Sequence, residues 1–261
     1  MDYEQHHKAI RNVLSGINGD EHNPFILKGG TALMECYGLD RFSEDIDLDC
    51  KYAKVPAAKF FRLIDHVSAV NGYKWHEGKN TTTVQKAFIN YGDPDSPLKV
   101  EVSHRRTVID PNVIVIKDGI ATYSISELCR LKAAAYMSRD KIRDLYDLSF
   151  ISEQYFDELN PEAKDTLALA LEYKDVEQFD YLVRTQNDPL IDRKRLEDRF
   201  LAMMDRSGLL YEKHAPATTR VRTKDDLMQA LAGKTEGMKS AGDKSKVHGH
   251  IHGRGRGQCR N

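Results

Sequence analysis

A chain of 261 residues with 40% hydrophobic content can bury one large core or two small ones, and a formal net charge of −1 excludes a uniformly basic nucleic-acid binder. The balance conceals a contrast: residues 220–261 hold ten Lys and Arg against four Asp and Glu, which leaves residues 1–219 at −7. Nothing resembles a signal peptide or a membrane-length apolar run, and Cys36, Cys50, Cys129 and Cys259 show no C-x-x-C spacing, so a soluble cytoplasmic protein with reduced thiols is expected.

In chain order, Ile10, Val13, Leu14 and Ile17 recur at helical spacing, which predicts a first helix closed near Gly16 to Gly19. Phe25-Ile26-Leu27 reads as a short strand, Lys28-Gly29-Gly30-Thr31 as a turn, and Ala32 to Cys36 as the start of a short helix ended by Gly38. Glycines let a backbone approach a phosphate closely, and the free N–H groups of the following helix favour an anion. Asp45, Asp47 and Asp49 then alternate with Ile46, Leu48 and Cys50, which puts three carboxylates on one face of a strand. Asp is disfavoured in strands and like charges on one face repel, so the ladder is costly unless water or a cation compensates. Mg²⁺ takes oxygen ligands from one or two carboxylates plus substrate phosphates and is the natural compensation. An isolated D-x-D is more simply a polar strand face; the neighbouring glycine turn reverses that preference.

Residues 56–71 repeat a helical stripe through Phe60, Leu63, Ile64, Val67 and Val70, and residues 73–77, 81–91, 98–104 and 113–117 read as strands, with Pro94 and Pro97 as breaks. In the third of these strands Leu98, Val100 and Val102 share one face, and Lys99 and Glu101 the other. From Ser124 to about Leu210 the pattern is helical, interrupted at Asn160-Pro161 and Asp188-Pro189. Lys132 has Leu128 and Cys129 one turn before it and Ala135 and Tyr136 one turn after, which places an ammonium on an apolar face; snorkelling to water is the plain alternative. Arg143 with Asp147, and Asp144 with Asp147, stand at helical salt-bridge spacings that need no chemistry. Arg41, Arg105 and Arg106 read as solvated cations or as phosphate or RNA contacts. Residues 215–261, rich in Gly, Lys, Arg, Ser and Thr, read as disordered apart from a short helix at Asp225 to Leu231; the alternating His248, His250 and His252 are a weak metal tract or simply part of that tail.

Gly29-Gly30-Thr31 followed by Arg41-Phe42-Ser43-Glu44-Asp45-Ile46-Asp47-Leu48, with Lys132 and Arg143-Asp144-Leu145-Tyr146-Asp147-Leu148 further on, resembles the AbiEii-like branch of the nucleotidyltransferase superfamily. The resemblance implies an α/β (α+β) fold with a polymerase-beta-like core and mixed sheet, which the helix–strand alternation fits over residues 1–120; the helical pattern adds a C-terminal helical bundle over 121–212 and the composition a disordered basic tail over 213–261. It implies that Asp45 and Asp47 bind metal, Mg²⁺ or alternatively Mn²⁺, with a third carboxylate from a later strand, for which Glu101 is the candidate. Gly29, Gly30 and Thr31 would hold the phosphates of an NTP, with Lys132 and Arg143 as further nucleotide contacts, and one of Asp144 and Asp147 would reach the catalytic site, to orient Lys132 or Arg143 or in a purely structural role. Ser43, two residues before Asp45, reads by position as a neighbour of the metal or phosphates or equally as a strand-entry hydroxyl satisfying backbone groups. The implied reaction moves a nucleoside monophosphate to an acceptor, RNA and especially tRNA, in the toxin of a toxin-antitoxin or abortive-infection system with a cognate antitoxin and no membrane partner. Two alternatives stand beside it: a small hydroxylated acceptor such as an aminoglycoside, and a catalytically silent nucleotide- or partner-binding module.

Overall fold

Asp2 caps the first helix by accepting from the amides of Glu4 and Gln5, and α1 (Tyr3–Asn18) buries Ile10, Val13, Leu14 and Ile17 before Gly19 ends it. The computed structural model describes residues 1–210 except 21, 53, 54 and 107. Strand β1 (Phe25–Lys28) runs directly into α2 (Gly29–Tyr37), which stops at Gly38 in the left-handed conformation, φ 74°. There follow β2 (Ile46–Cys50), α3 (Ala57–Asn71), β3 (Lys74–Asn80), β4 (Val84–Asn90) and β5 (Leu98–Ser103). A last hairpin, β6 (Ile114–Lys117) and β7 (Ile120–Tyr123), precedes α4 (Ile125–Ser138), α5 (Ile142–Tyr155), α6 (Pro161–Tyr173), α7 (Val176–Thr185) and α8 (Arg193–Arg206).

The strands form one mixed sheet in the order β3-β4-β5-β2-β1-β7-β6. β2 is parallel to β5 and β1 to β7, while the other neighbours are antiparallel. Helices α1 and α3 pack on each other, α3 lies on β3 and β4, and α2 lies on β1, β2 and β7 and meets α4. Helix α4 packs in turn on α5 and α6, and α5 on α8. The α/β class with a mixed sheet is therefore as expected.

Several elements differ from the expectation: β3 runs on to Asn80 rather than 77, and Lys28 to Thr31, read as a turn, are the last residue of β1 and the first residues of α2. β4 begins at Val84 rather than 81, because Thr81 closes the β3–β4 turn: its amide and hydroxyl both donate to the Val84 carbonyl. β7 was absent from the sequence expectation, although Asp118-Gly119, both at positive φ (49° and 79°), is the dipeptide that a two-residue hairpin requires. Cys36, Cys50 and Cys129 are buried and free, and burial pushes the thiols of Cys36 and Cys129 up to about 12. No helix of the described residues is long and apolar enough to cross a membrane. Cys259, the tail over 213–261, its short helix and the histidine tract lie outside the described residues.

Candidate functional site

Register places a line of four charges across four neighbouring strands. Lys28 on β1 is opposite Asp47 on β2, Asp47 is opposite Glu101 on β5, and Glu101 is opposite Lys86 on β4. Side chains in register share a face, so these four stand together while Leu27, Leu48, Val100, Val102 and Ala87 face the other way into the core. Cations hold the acids: Lys86 Nζ is 3.0 Å from Glu101, and Lys99 Nζ is 2.5 Å from Asp45. Burial pushes the Asp47 carboxyl above the usual carboxylate range, helped by the negative charges of Asp45 and Glu101 and opposed by Lys99 and Lys28. Burial would lower the Lys99 ammonium, but its bond to Asp45 and the charges of Asp47 and Glu101 prevail and raise it.

The third rung of the ladder has a different role. Asp49 is 1% exposed, pairs with Lys28 and accepts a hydrogen bond from the Tyr123 hydroxyl at 2.9 Å. Alternation puts Asp49 on the face of Asp47, but the β7 tyrosine covers it there, so it serves an internal network.

The glycine turn lies against Asp47. Gly29 has φ 77°, and a Cβ built on it would stand 3.3 Å from Asp47 Oδ2. A Cβ on Gly30 would come within 2.7 Å of Ser43 Oγ and 2.8 Å of Arg41 Nη2. Thr31 and Ser43 are both buried, with their hydroxyl oxygens 2.9 Å apart, and Thr31 also bonds the Asp45 carbonyl. These two hydroxyls tie the start of α2 to the entry of β2, which fixes the bend beside the carboxylates.

Beneath the bend is a chain of buried ion pairs. Asp147, fully buried, accepts a fork from Arg41 (2.7 and 2.7 Å) and lies 2.5 Å from Lys132 Nζ. Lys132 is 9% exposed and also reaches Asp144 at 3.3 Å. Asp144 in turn accepts from Arg139, whose side chain is 57% exposed and close enough to feel the charge of Asp47. Burial opposes ionisation of Asp147, yet Lys132 and Arg41 hold its carboxyl below the ordinary value. Both candidate aspartates of α5 therefore meet Lys132. Arg143 instead bridges Glu44 (2.8 Å) and Asp188, and Arg106 pairs with Glu127 (2.8 Å) over the Tyr123 ring, while Arg105 is exposed.

Lys28, Lys86, Lys99 and Arg139 carry no role in the sequence expectation; the signal for Lys99 is that it shares a strand face with Glu101. Among the described residues no three His, Cys, Asp or Glu side chains are gathered closely enough to hold a metal ion; Asp45 and Glu101 pair with Lys99 and Lys86. The donor set nonetheless fits a hard divalent cation. Asp47 and Glu101 offer only oxygen from neighbouring strands and one face, Asp45 adds a carboxylate immediately before β2, and Gly29, at φ 77° and 3.3 Å from Asp47 by its notional Cβ, keeps the backbone close to them. The row lines neither of two cavities near the end of α1, one of about 400 Å³ including Arg11, Asn18 and Asp118, the other of about 680 Å³ including Lys59, Arg62 and His66. It stands on the sheet face itself.

The chain matches the family described as nucleotidyl transferase AbiEii toxin, type IV TA system, over residues 12–231. Among solved structures it is similar to a candidate nucleotidyltransferase from H. pylori, at 29% identity and TM-score 0.63 over 80% of this chain and 94% of that one. It is also similar to JHP933 from Helicobacter pylori, at 26% identity and TM-score 0.65 over 91% and 97%. No curated protein sequence matches it.

Proposed function

The chain belongs to the AbiEii nucleotidyltransferase toxin family of type IV toxin-antitoxin systems, and from that premise we propose a metal-dependent transfer of a nucleoside monophosphate from an NTP to a hydroxyl of an RNA acceptor, with release of pyrophosphate. The observation that carries the reading is the contact of the Gly29 bend with Asp47, in register with Glu101 on the adjacent strand. Asp45, Asp47 and Glu101 would hold Mg²⁺ or Mn²⁺, which when bound neutralises the triphosphate and makes the acceptor hydroxyl more acidic. Gly29 and Gly30 let the backbone approach the phosphates, and the start of α2 presents its free amides to them. Lys99 and Arg139 border the carboxylates as cations that can meet the triphosphate, the former joined to Asp45 and the latter steered by Asp144. Arg41 and Lys132, fixed by Asp147, act from beneath as positioning charges. In the transfer the acceptor hydroxyl releases its proton to solvent, and its oxygen bonds the α-phosphorus as the bond to the pyrophosphate oxygen breaks and pyrophosphate leaves.

The acceptor we favour is the end of a tRNA, with a cognate antitoxin restraining the enzyme in the cytoplasm. The test is to incubate the purified chain with each α-labelled NTP, Mg²⁺ and total cellular RNA, and to resolve the products on a gel. Labelled tRNA is expected, and chelation with EDTA, Asp45→Ala or Asp47→Ala should each abolish it while circular dichroism stays that of the wild type. Undiminished transfer in both variants would remove the mechanism. Label in small molecules of an extract, with none in RNA, would replace the acceptor.

A further inference from the structure

We infer that the sheet face beyond the carboxylates, on β3 and β4, is a stacking platform for the unpaired end of the acceptor strand; this rests on the RNA reading above. A second line of register runs across the sheet beside the first. His76 on β3 is opposite Phe88 on β4, Phe88 is opposite Lys99 on β5, and Lys99 holds Asp45. The two rings stack with centroids 5.3 Å apart and planes inclined by 22°. Three strand spacings separate His76 from Asp45, roughly 14 Å.

Gly78 explains how the Phe88 ring lies as it does. It sits at the bulge of β3 between Glu77 and Lys79, and a Cβ there would come within 2.4 Å of the ring, so only the missing side chain lets Phe88 lean across its neighbouring strand. The opposite face of the same hairpin is already occupied: Trp75 stacks on Phe61 of α3 at 5.9 Å and donates to Asp65. On the platform side His76 and Lys79 are exposed, and Lys79 is opposite Lys86.

Aromatic rings bordered by Lys79, Lys86 and Lys99 match one partner chemistry, that of a single-stranded nucleic acid, whose bases stack on rings while its phosphates meet ammonium groups. A base-paired strand keeps its bases stacked on each other and offers no free face to the rings. A strand end lying on His76 and Phe88 would deliver its terminal hydroxyl along the row toward Asp45 and Asp47.

The test uses His76→Ala, Phe88→Leu and the double variant of the full chain, with thermal melts to show that each folds. The KM for tRNA and the KM for the NTP are measured separately, and fluorescence anisotropy compares a single-stranded oligoribonucleotide with a blunt duplex of the same sequence. Loss of a base stack raises the KM for tRNA about tenfold in the double variant, with the KM for the NTP changed less than about twofold, and the wild type binds the single strand more tightly than the duplex. Wild-type labelling of tRNA with an unchanged KM in folded variants, or equal binding of strand and duplex, overturns the platform. Failure of the wild type to label any RNA overturns the acceptor reading instead, and the anisotropy still decides whether the rings bind single strands.

Discussion

Truncating Asp147 should destabilise the protein more than removing any exposed carboxylate. Its side chain is wholly buried and receives the fork of Arg41 and the ammonium of Lys132, themselves 6% and 9% exposed. Asp147→Ala leaves two desolvated cations facing a void, a loss of roughly 3–5 kcal/mol for a broken buried pair. Lys132 keeps Asp144 as a partner, which favours the lower end, about 3 kcal/mol. For a domain of this size that is a fall in Tm of about 6–12 °C, measured by calorimetry or circular dichroism at neutral pH. The pH dependence carries a sign. The folded pKa of Asp147 is lowered, so its stabilisation is complete above the unfolded value of about 3.9 and is lost as pH falls through the lowered folded value. The gap between wild type and variant should therefore be constant near neutrality and close only in acid. A variant within about 1 kcal/mol of wild type at pH 7, or a gap that closes well above the unfolded pKa, refutes the buried-pair argument.

Asp47 should behave in the opposite sense. Burial, with Asp45 and Glu101 nearby, raises its folded pKa, so Asp47→Asn should abolish transfer yet raise Tm in EDTA; the gain should be absent below about 3.9, grow as pH rises from there toward the raised folded value, and stay constant above it. An unchanged melt at neutral pH would show that Lys28 and Lys99 already compensate the charge. Gly30→Ala pushes a methyl to 2.7 Å from Ser43 Oγ and 2.8 Å from Arg41 Nη2, an overpacking of about 1–3 kcal/mol that should also raise the KM for the NTP. Gly38→Ala is its control: φ 74° with open space around it costs about 1–2 kcal/mol of backbone strain and should leave that KM alone. Equal effects of the two substitutions on the KM would detach Gly30 from the phosphates.

Elements whose apolar spacing is set by one neighbour were readable from the chain. The stripe of α1 and the alternation in β5 report a single buried face each, and a single face is what a period measures. Of the β6–β7 hairpin only β7 escaped: at four residues it is too short for a period, and the Asp118-Gly119 pair alone marked it. Asp49 shows the limit of the same argument. Alternation assigns it to the face of Asp47, but what covers that face comes from Tyr123, 74 residues away, and no local pattern holds that information.

Lys132 marks the boundary between what was legible and what was not. Its apolar flanks announce burial, and a buried ammonium must find a buried acid or give up its charge. The helical spacings of Arg143, Asp144 and Asp147 offered a competing account, a set of local pairs along α5. Magnitudes decide between them. A local exposed pair is worth about 0.3–0.5 kcal/mol, whereas leaving Lys132 unpartnered costs several, so the acids of α5 belong to α4. Arg143 is thereby released to bridge Glu44 and Asp188 across separate segments. Arg41, 106 positions from Asp147, carries no such signal, because two buried cations on one carboxylate follow from Arg41 lying between Gly30 and Asp147 and not from any spacing. The bend and the lysine helix are thus joined through one carboxylate, which is why its loss should be felt both in stability and at the phosphates.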